Sequence, residues 1–294
     1  MRRLFLLIVS LSCVSTGLAQ ESGNRIYGNY GYYNQQRRQP QTNTGTLFTA
    51  GYGYSIEASV LTNLKPDAFV VVFGINDEAN APAESNAKVN GRVADFTKAL
   101  TALGIARSDI FVDFITQNRV YDYEMQGGQA TENFSGFETK KTIAVRYRNR
   151  DLFERIVEAA AGVKIFDLIK VDYIVSDFQA VRKRLFDEAV KVIKTKERSY
   201  IQSLGVGLTP VGLANERYDA FYPSDTYERY QAYETGSAYV SSNTIVRRKS
   251  FTFFYEPVEG SRFDAVLNPR GIEPAVQFSV YLRVQYDQQK SKQG

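Results

Sequence analysis

Proton transfer in this chain can fall only to carboxylates, lysines and tyrosines. Its 294 residues include no histidine, no tryptophan and one cysteine, Cys13. Without histidine, Ser-His-Asp and Cys-His arrangements cannot be built. A zinc site of the usual nitrogen and sulfur ligands is excluded for the same reason. The remaining enzymatic option is a hydrolase using paired carboxylates. Asp109 and Asp113 are four residues apart beside an alternating segment, IFVDFI (110–115), so spacing alone puts both on one strand face. A chain of this length offers many such pairs. We therefore assign no catalytic, cofactor-binding or metal-ligating residue and no cofactor, and expect a protein that is not an enzyme.

The stretch LKPDAFVVVFGINDEANAP (64–82) raises a second possibility, because strand, glycine and helix in that order open many nucleotide-binding domains. A phosphate cradle needs glycines between a strand and a helix, where helix N-terminal amides meet the anion. Gly74 stands alone, and Asp77 and Glu78 occupy the approach. The G-x-G at Gly205–Gly207 follows a helical pattern and does not precede one. Neither a dinucleotide site nor a P-loop is supported.

Charge adds little. The formal net charge is +4, and removal of Arg2 and Arg3 with a leader leaves 34 basic against 32 acidic residues. No nucleic-acid footprint follows from this balance. The start, MRRLFLLIVSLSCVSTGLAQES, has a basic, an apolar and a small-residue zone, which predicts an export signal cleaved after Ala19. Cys13 offers lipid attachment as an alternative, but Ser10-Leu11-Ser12 fit that signal poorly. Cleavage after Ala19 leaves no cysteine, so the exported protein rests on its hydrophobic core. No stretch reaches 18 uncharged apolar residues, and no transmembrane helix is expected.

The elements follow from periodicity. Residues 20–46 are rich in Tyr, Gln, Asn and Gly and read as a flexible tail. Its tyrosines (Tyr27, Tyr30, Tyr32, Tyr33) suit a sugar or a partner, or nothing beyond a sticky linker. Leu47–Val60 reads as a strand with an irregular, glycine-marked start. The apolar run Phe69–Phe73 suggests a strand buried on both faces, ended by a turn over 74–80. Val89, Val93, Phe96, Leu100 and Leu103 form one helical stripe over about 83–103, with Gly104 as C-cap.

Residues 121–138 read as a polar loop. Ile143, Val145 and Tyr147 share a strand face. Asp151 caps a short helix that Gly162 ends, and Ile169, Val171, Tyr173 and Val175 alternate in a further strand. Asp177 opens the longest helix, to about Leu204, with Phe178, Val181, Leu185, Ala189, Val192 and Ile193 inward. Its basic residues, with Asp187 and Lys191 as a supporting pair, read as a solvated face. Gly205 closes it. Residues 213–262 read as an aromatic-rich insertion with a hairpin. Val276, Phe278, Val280, Leu282 and Val284 alternate in a last strand, and a charged tail (288–294) ends the chain.

The order predicts an α+β fold: βαβ-type repeats with helices packed on mixed or antiparallel sheets, then a long helix and a late strand. Two segments, KPDAFVVVFGINDEANAPAESNAKVNGRVADFTKALTALGIARSDI and FDLIKVDYIVSDFQAVRKRLFDEAVKVIKTKERSYIQSLGVGLTPVG, carry this order. With Pro66-Asp67 at a strand start, Asn86 and Asn90 in the helix, Leu103-Gly104-Ile105 and the Leu204-Gly205 helix end, they resemble the SIMPL-domain family, a domain of unknown function. The resemblance covers about 47–211 and the last strand. The Tyr/Gln tail and the aromatic stretch Tyr218–Tyr255 exceed it.

That resemblance implies an exported bacterial protein, periplasmic or outer-membrane-associated, with no catalytic residues to carry over. It also implies a tendency to form large homo-oligomers, like the periplasmic immunogenic proteins, and a link to oxidative or envelope stress. The aromatic segments are the expected assembly surface, or the ordinary packing of an extra hairpin. The alternative function is a binding module for envelope glycan or peptide, gripped by tyrosines.

Overall fold

In a computed structural model the chain is described over residues 47–50, 53–126, 128–205, 207–230 and 252–288. The leader with Cys13, the tail 20–46, the middle of the aromatic stretch and the last residues lie outside these. The fold is α+β, with two helix-covered sheets and a small hairpin.

The chain opens with β1 (Leu47–Ala50) and β2 (Gly53–Leu64), an antiparallel pair and not the single strand expected. Next come β3 (Ala68–Ala79), α1 (Pro82–Ala102), β4 (Ile110–Gln126), β5 (Gln129–Tyr147), α2 (Leu152–Gly162) and β6 (Asp167–Ile174). These four strands form one antiparallel sheet in the order β4-β5-β3-β6. Both strand–helix–strand units cross over a strand that lies between their ends, which is the split βαβ arrangement. α1 and α2 cover one face. Val89, Phe96 and Leu100 of α1 and Ile156 and Ala160 of α2 meet Val71, Phe73, Ile143 and Val145 in a continuous buried core. The apolar stripes read from the sequence are the ones buried here.

Both helices end in the same way. The Gly104 amide donates to the Thr101 carbonyl at 3.0 Å and the Ile105 amide to Leu100 at 3.1 Å, with Gly104 at φ +87°. This is the Schellman arrangement, with Ile105 folded back on Leu100 in the core. In α2 the Lys164 amide donates to Ala161 at 3.0 Å and Ile165 to Ala160 at 2.9 Å. The left-handed residue there is Lys164, at φ +61°, two positions beyond the expected stop at Gly162.

Four expectations for this layer need correction. Residues 121–138 are not a loop: β4 and β5 continue as a ladder to Gln126↔Gln129. Most of these side chains are exposed, so no buried face imposes an apolar period on the sequence. Gly74 lies inside β3, paired with Thr142, and the ladder runs on to Ala79↔Phe137 where a turn was expected. Phe69, Val71 and Phe73 are buried while Val70 and Val72 are half-buried, so the apolar run is covered fully on one face only. In β6 the alternation breaks at Ile169. Val72 pairs with Lys170 and Phe73 with Leu168, so Ile169 is the extra residue of a bulge and is 42% exposed.

The second layer is built by α3 (Phe178–Leu204), β7 (Leu208–Phe221), β10 (Ala265–Leu267) and β11 (Val276–Gln288), with β1 and β2. The Asp177 Oδ1 caps α3 by accepting from the Ala180 amide at 3.0 Å, and Gly205 closes it in the left-handed conformation. The sheet runs β1-β2-β11-β7, and β10 pairs in parallel with the outer half of β2. Leu185, Ala189 and Ile193 of α3 pack on Ile56, Val60, Val280 and Leu282. The supporting pair expected between Asp187 and Lys191 is replaced by two: Lys183 with Asp187 at 2.6 Å and Lys191 with Glu188 at 2.8 Å.

Between β7 and β11 lie a short helical turn, α4 (Pro223–Thr226), and the hairpin β8 (Tyr227–Tyr230) with β9 (Thr252–Tyr255). Residues 213–221, read as the start of an insertion, belong to β7.

Candidate functional site

The two carboxylates singled out for hydrolysis do not share a strand face. Asp109 belongs to a 3-10 turn, Arg107–Asp109, and Asp113 lies on exposed β4. The structure brings together a different carboxylate. Glu57 in β2 is 1% exposed although its side chain is charged. Its register partner across the ladder is Arg283 of β11, whose Nε donates to Glu57 Oε1 at 2.7 Å and whose Nη2 reaches the same oxygen. The Tyr281 hydroxyl interacts with both groups. Desolvation, then Glu57, pushes that phenol up to about 12, against the pull of Arg283.

Glu57 also accepts through its backbone. Lys196 of α3 donates to the Glu57 carbonyl at 2.9 Å and to Asp264 Oδ1 at 2.5 Å. Asp264 in turn accepts from the Ser59 amide at 2.8 Å. The Glu57 carboxylate thus lies inside the sheet as the ion-pair partner of Arg283. The arrangement clasps β2, β11, α3 and the segment before β10. Sequence reasoning missed Glu57 because it sits inside an apolar run, SIEASV, where a lone charge carries no period. The arginine at the matching place in YLRVQY was the available signal.

Tyr27, Tyr30, Tyr32 and Tyr33, with Tyr233 and Tyr239, lie outside the described residues, and those of the aromatic stretch that are described make internal contacts. Tyr218 stacks under the Arg182 guanidinium at 4.2 Å, and the Tyr255 hydroxyl donates to the Ala275 carbonyl at 3.1 Å. Tyr227 and Tyr255 lie against each other across the β8–β9 hairpin, 6.0 Å between rings. In its described part the aromatic stretch packs through Tyr218 on α3 and through Tyr227 and Tyr255 across the hairpin, while Phe254 is exposed.

Exposed aromatics appear elsewhere, on the β4–β5 ribbon. Beyond Phe137↔Ala79 the two strands have no third strand among the described residues. Tyr121 faces Phe134 across the ladder in an edge contact at 5.9 Å. Tyr123 is 71% and Met125 69% exposed on the same ribbon. The Tyr123 hydroxyl donates to Glu132 Oε1 at 3.2 Å. Gly127-Gly128, between two runs of alternating character, was the sequence signal for this hairpin. On the helix-free face of the same sheet Phe111 is 66% exposed beside Ala144 and Val72 in the register.

Among the described residues no group of three or more His, Cys, Asp and Glu is placed to hold a metal ion. Among them, too, no helix is long and apolar enough to cross a membrane.

No curated protein matches this chain. A family does, over residues 54–252, which includes the split βαβ sheet, α3 and β7 and continues past the Val211 limit of the earlier resemblance. With more than half of its length matched, the chain belongs to the SIMPL family, described as a protein of unknown function (DUF541).

Proposed function

We propose that this SIMPL protein is an exported, non-enzymatic protein of the bacterial cell envelope, periplasmic or outer-membrane-associated, that works by self-assembly. The observation that carries the reading is the β4–β5 ribbon, which presents Tyr121, Tyr123, Met125 and Phe134 on strands that no other element among the described residues covers. Contiguous exposed apolar side chains mark interaction sites, and Tyr, Phe and Met are enriched there. The leader-like start supports export. The absence of histidine supports a role without the commonest acid–base catalyst. A link to envelope or oxidative stress rests on the family resemblance.

The test is the solution mass of residues 20–294 by light scattering on a sizing column. A single species of several copies is the expected result, and a monomer at micromolar concentration would overturn the reading.

The second reading, a glycan- or peptide-binding module, is favoured by one detail: Tyr123 carries a carboxylate, Glu132, at its hydroxyl on an open strand. Aromatic faces beside acceptors suit sugar rings. Cell-wall fragments titrated against tyrosine fluorescence decide it, and no saturable change up to millimolar ligand removes it.

A further inference from the structure

Tyrosine carries the one-electron chemistry open to this chain. There are 20 tyrosines and no tryptophan, and the one cysteine, Cys13, lies in the leader-like start. Tryptophan and cysteine are the side chains that compete with tyrosine for one-electron oxidation. An oxidising equivalent that reaches residues 20–294 therefore settles on a phenol. Of the two methionines, Met1 is in the leader and Met125 takes up an oxygen atom when oxidised.

Among the described residues one pair of tyrosines has its rings in contact. Tyr227 in β8 and Tyr255 in β9 are register partners across the antiparallel hairpin, with 6.0 Å between ring centres and 57° between ring planes. That spacing lies in the range of touching aromatic rings. Both residues are half-buried, so a small oxidant reaches them while their neighbours hold the rings. The Tyr255 hydroxyl donates to the Ala275 carbonyl at 3.1 Å and accepts from the Ala275 amide at 3.3 Å. The Tyr227 hydroxyl is hydrogen-bonded to that of Tyr173. Each oxygen thus keeps a hydrogen-bond donor when its ring becomes a radical. The hairpin has four residues in each strand and, among the described residues, joins neither large sheet. A two-stranded ribbon of this kind is marginal alone. Without a cysteine beyond Cys13, no disulfide can staple it.

We propose that Tyr227 and Tyr255 are a cross-linking site, joined ring to ring as dityrosine by two equivalents of a small one-electron oxidant. Each phenol gives one electron to the oxidant and its hydroxyl proton to water. A carbon–carbon bond then forms between the ring positions ortho to the two hydroxyls. The hydrogen on each bonded carbon moves to its own oxygen, which restores both aromatic rings and both hydroxyls. Two electrons and two protons leave in all. The new bond closes the chain between Tyr227 and Tyr255 and constrains the unfolded hairpin as a disulfide does.

The test oxidises residues 20–294 with photogenerated tris(bipyridine)ruthenium(III), a one-electron oxidant. An equal mixture of nitrogen-15-labelled and unlabelled copies distinguishes links within a copy from links between copies. The expected result is blue dityrosine fluorescence and, after trypsin, peptides 218–229 and 250–262 joined with the loss of two hydrogens and with no mixing of isotopes. Tyr227→Phe and Tyr255→Phe should each abolish the joined peptide, and denaturation midpoints before oxidation show that each variant is folded. In the linked parent, amide exchange over 227–230 and 252–255 should slow about tenfold or more. Oxidation of the parent in urea needs no variant to fold, and there the joined peptide should fall to the level of other tyrosine pairs. Isotopically mixed peptides, links spread evenly over other tyrosines, or the same yield in urea as in the folded chain would each overturn the site. A monomeric parent would end the self-assembly reading and leave this one standing, because the link lies within one copy.

Discussion

Arg283 stands directly opposite Glu57 in the β2–β11 ladder and donates to its carboxylate at 2.7 Å. Glu57 is buried, while the arginine reaches it from a side chain that stays partly open. Removing the cation strands a charge in the sheet, whereas removing both groups strands nothing. Arg283→Ala should therefore cost about 3 kcal/mol. The pair Glu57→Leu with Arg283→Met should cost less than that single change. Chemical denaturation of the three proteins decides the matter. Equal losses for the single and the paired variant would mean that packing, not charge compensation, holds this position.

Asp67 joins the two layers. Its Oδ2 accepts from the Ser176 amide and its Oδ1 from the Ser176 hydroxyl, both at 2.8 Å, where β6 leaves the first sheet for α3. The Ser176 amide is the main reason its carboxyl is held below the ordinary 3.8, with the Ser176 hydroxyl and Arg146 helping against desolvation. A folded value below the unfolded one contributes stability above the unfolded pKa, and that stability is lost as pH falls through the folded value. Asp67→Asn should lose about 1 kcal/mol at neutral pH, a figure reduced for solvent exposure. The difference from the parent should vanish in strong acid. A constant difference across the acid range would assign the effect to shape instead of charge.

Much of this layer was legible in the sequence because burial leaves a period. Val89, Val93, Phe96 and Leu100 announce a helix face, and Ile143, Val145 and Tyr147 a strand face, since each packs in one core. The ribbon from Thr116 to Glu138 packs on no such core among the described residues, and its short alternation Tyr121-Asp122-Tyr123-Glu124-Met125 sits among so many polar residues that the segment reads as a loop. Ile169 misled for another reason: a bulge inserts one residue and flips the phase, which periodicity alone cannot register. Glu57 and Arg283 lie 226 residues apart, and only the ladder makes them a pair. The absence of histidine was fully legible and constrained chemistry more than any element did.

The tyrosines predict an alkaline transition. Burial first, then Glu216 and Glu57, pushes Tyr218 and Tyr281 up to about 12. Burial also raises Tyr147, Tyr173 and Tyr286, the last beside Glu197. The folded chain thus holds these protons longer than the unfolded chain. Their contribution is fully present below the unfolded phenol value of 10.0 and is lost as pH rises through the folded values. Titration followed by phenolate absorbance should show exposed tyrosines ionising first and a later group ionising only with loss of near-ultraviolet dichroism. One wave near the ordinary phenol value, with the dichroism intact, would contradict the packing described for these rings.

Lys164 and Gly104 occupy the same place in two helix ends, and only one is suited to it. Both have positive φ, +61° and +87°, where a Cβ meets the following carbonyl. An added Cβ at Gly104 meets no other atom within 4 Å, so Gly104→Ala tests backbone conformation alone. It should cost about 1 kcal/mol. Lys164→Gly should gain about 0.5–1 kcal/mol, less than the full relief because glycine also loosens the unfolded chain. The Arg92 guanidinium, which donates to the Lys164 carbonyl and to Val163 at 3.3 Å, keeps both acceptors in the variant because they are backbone atoms. Lys164→Ala separates the causes, since it removes the long side chain and retains the Cβ. If Lys164→Ala stabilises as much as Lys164→Gly in thermal denaturation, the lysine side chain and not its left-handed backbone is the source of the penalty.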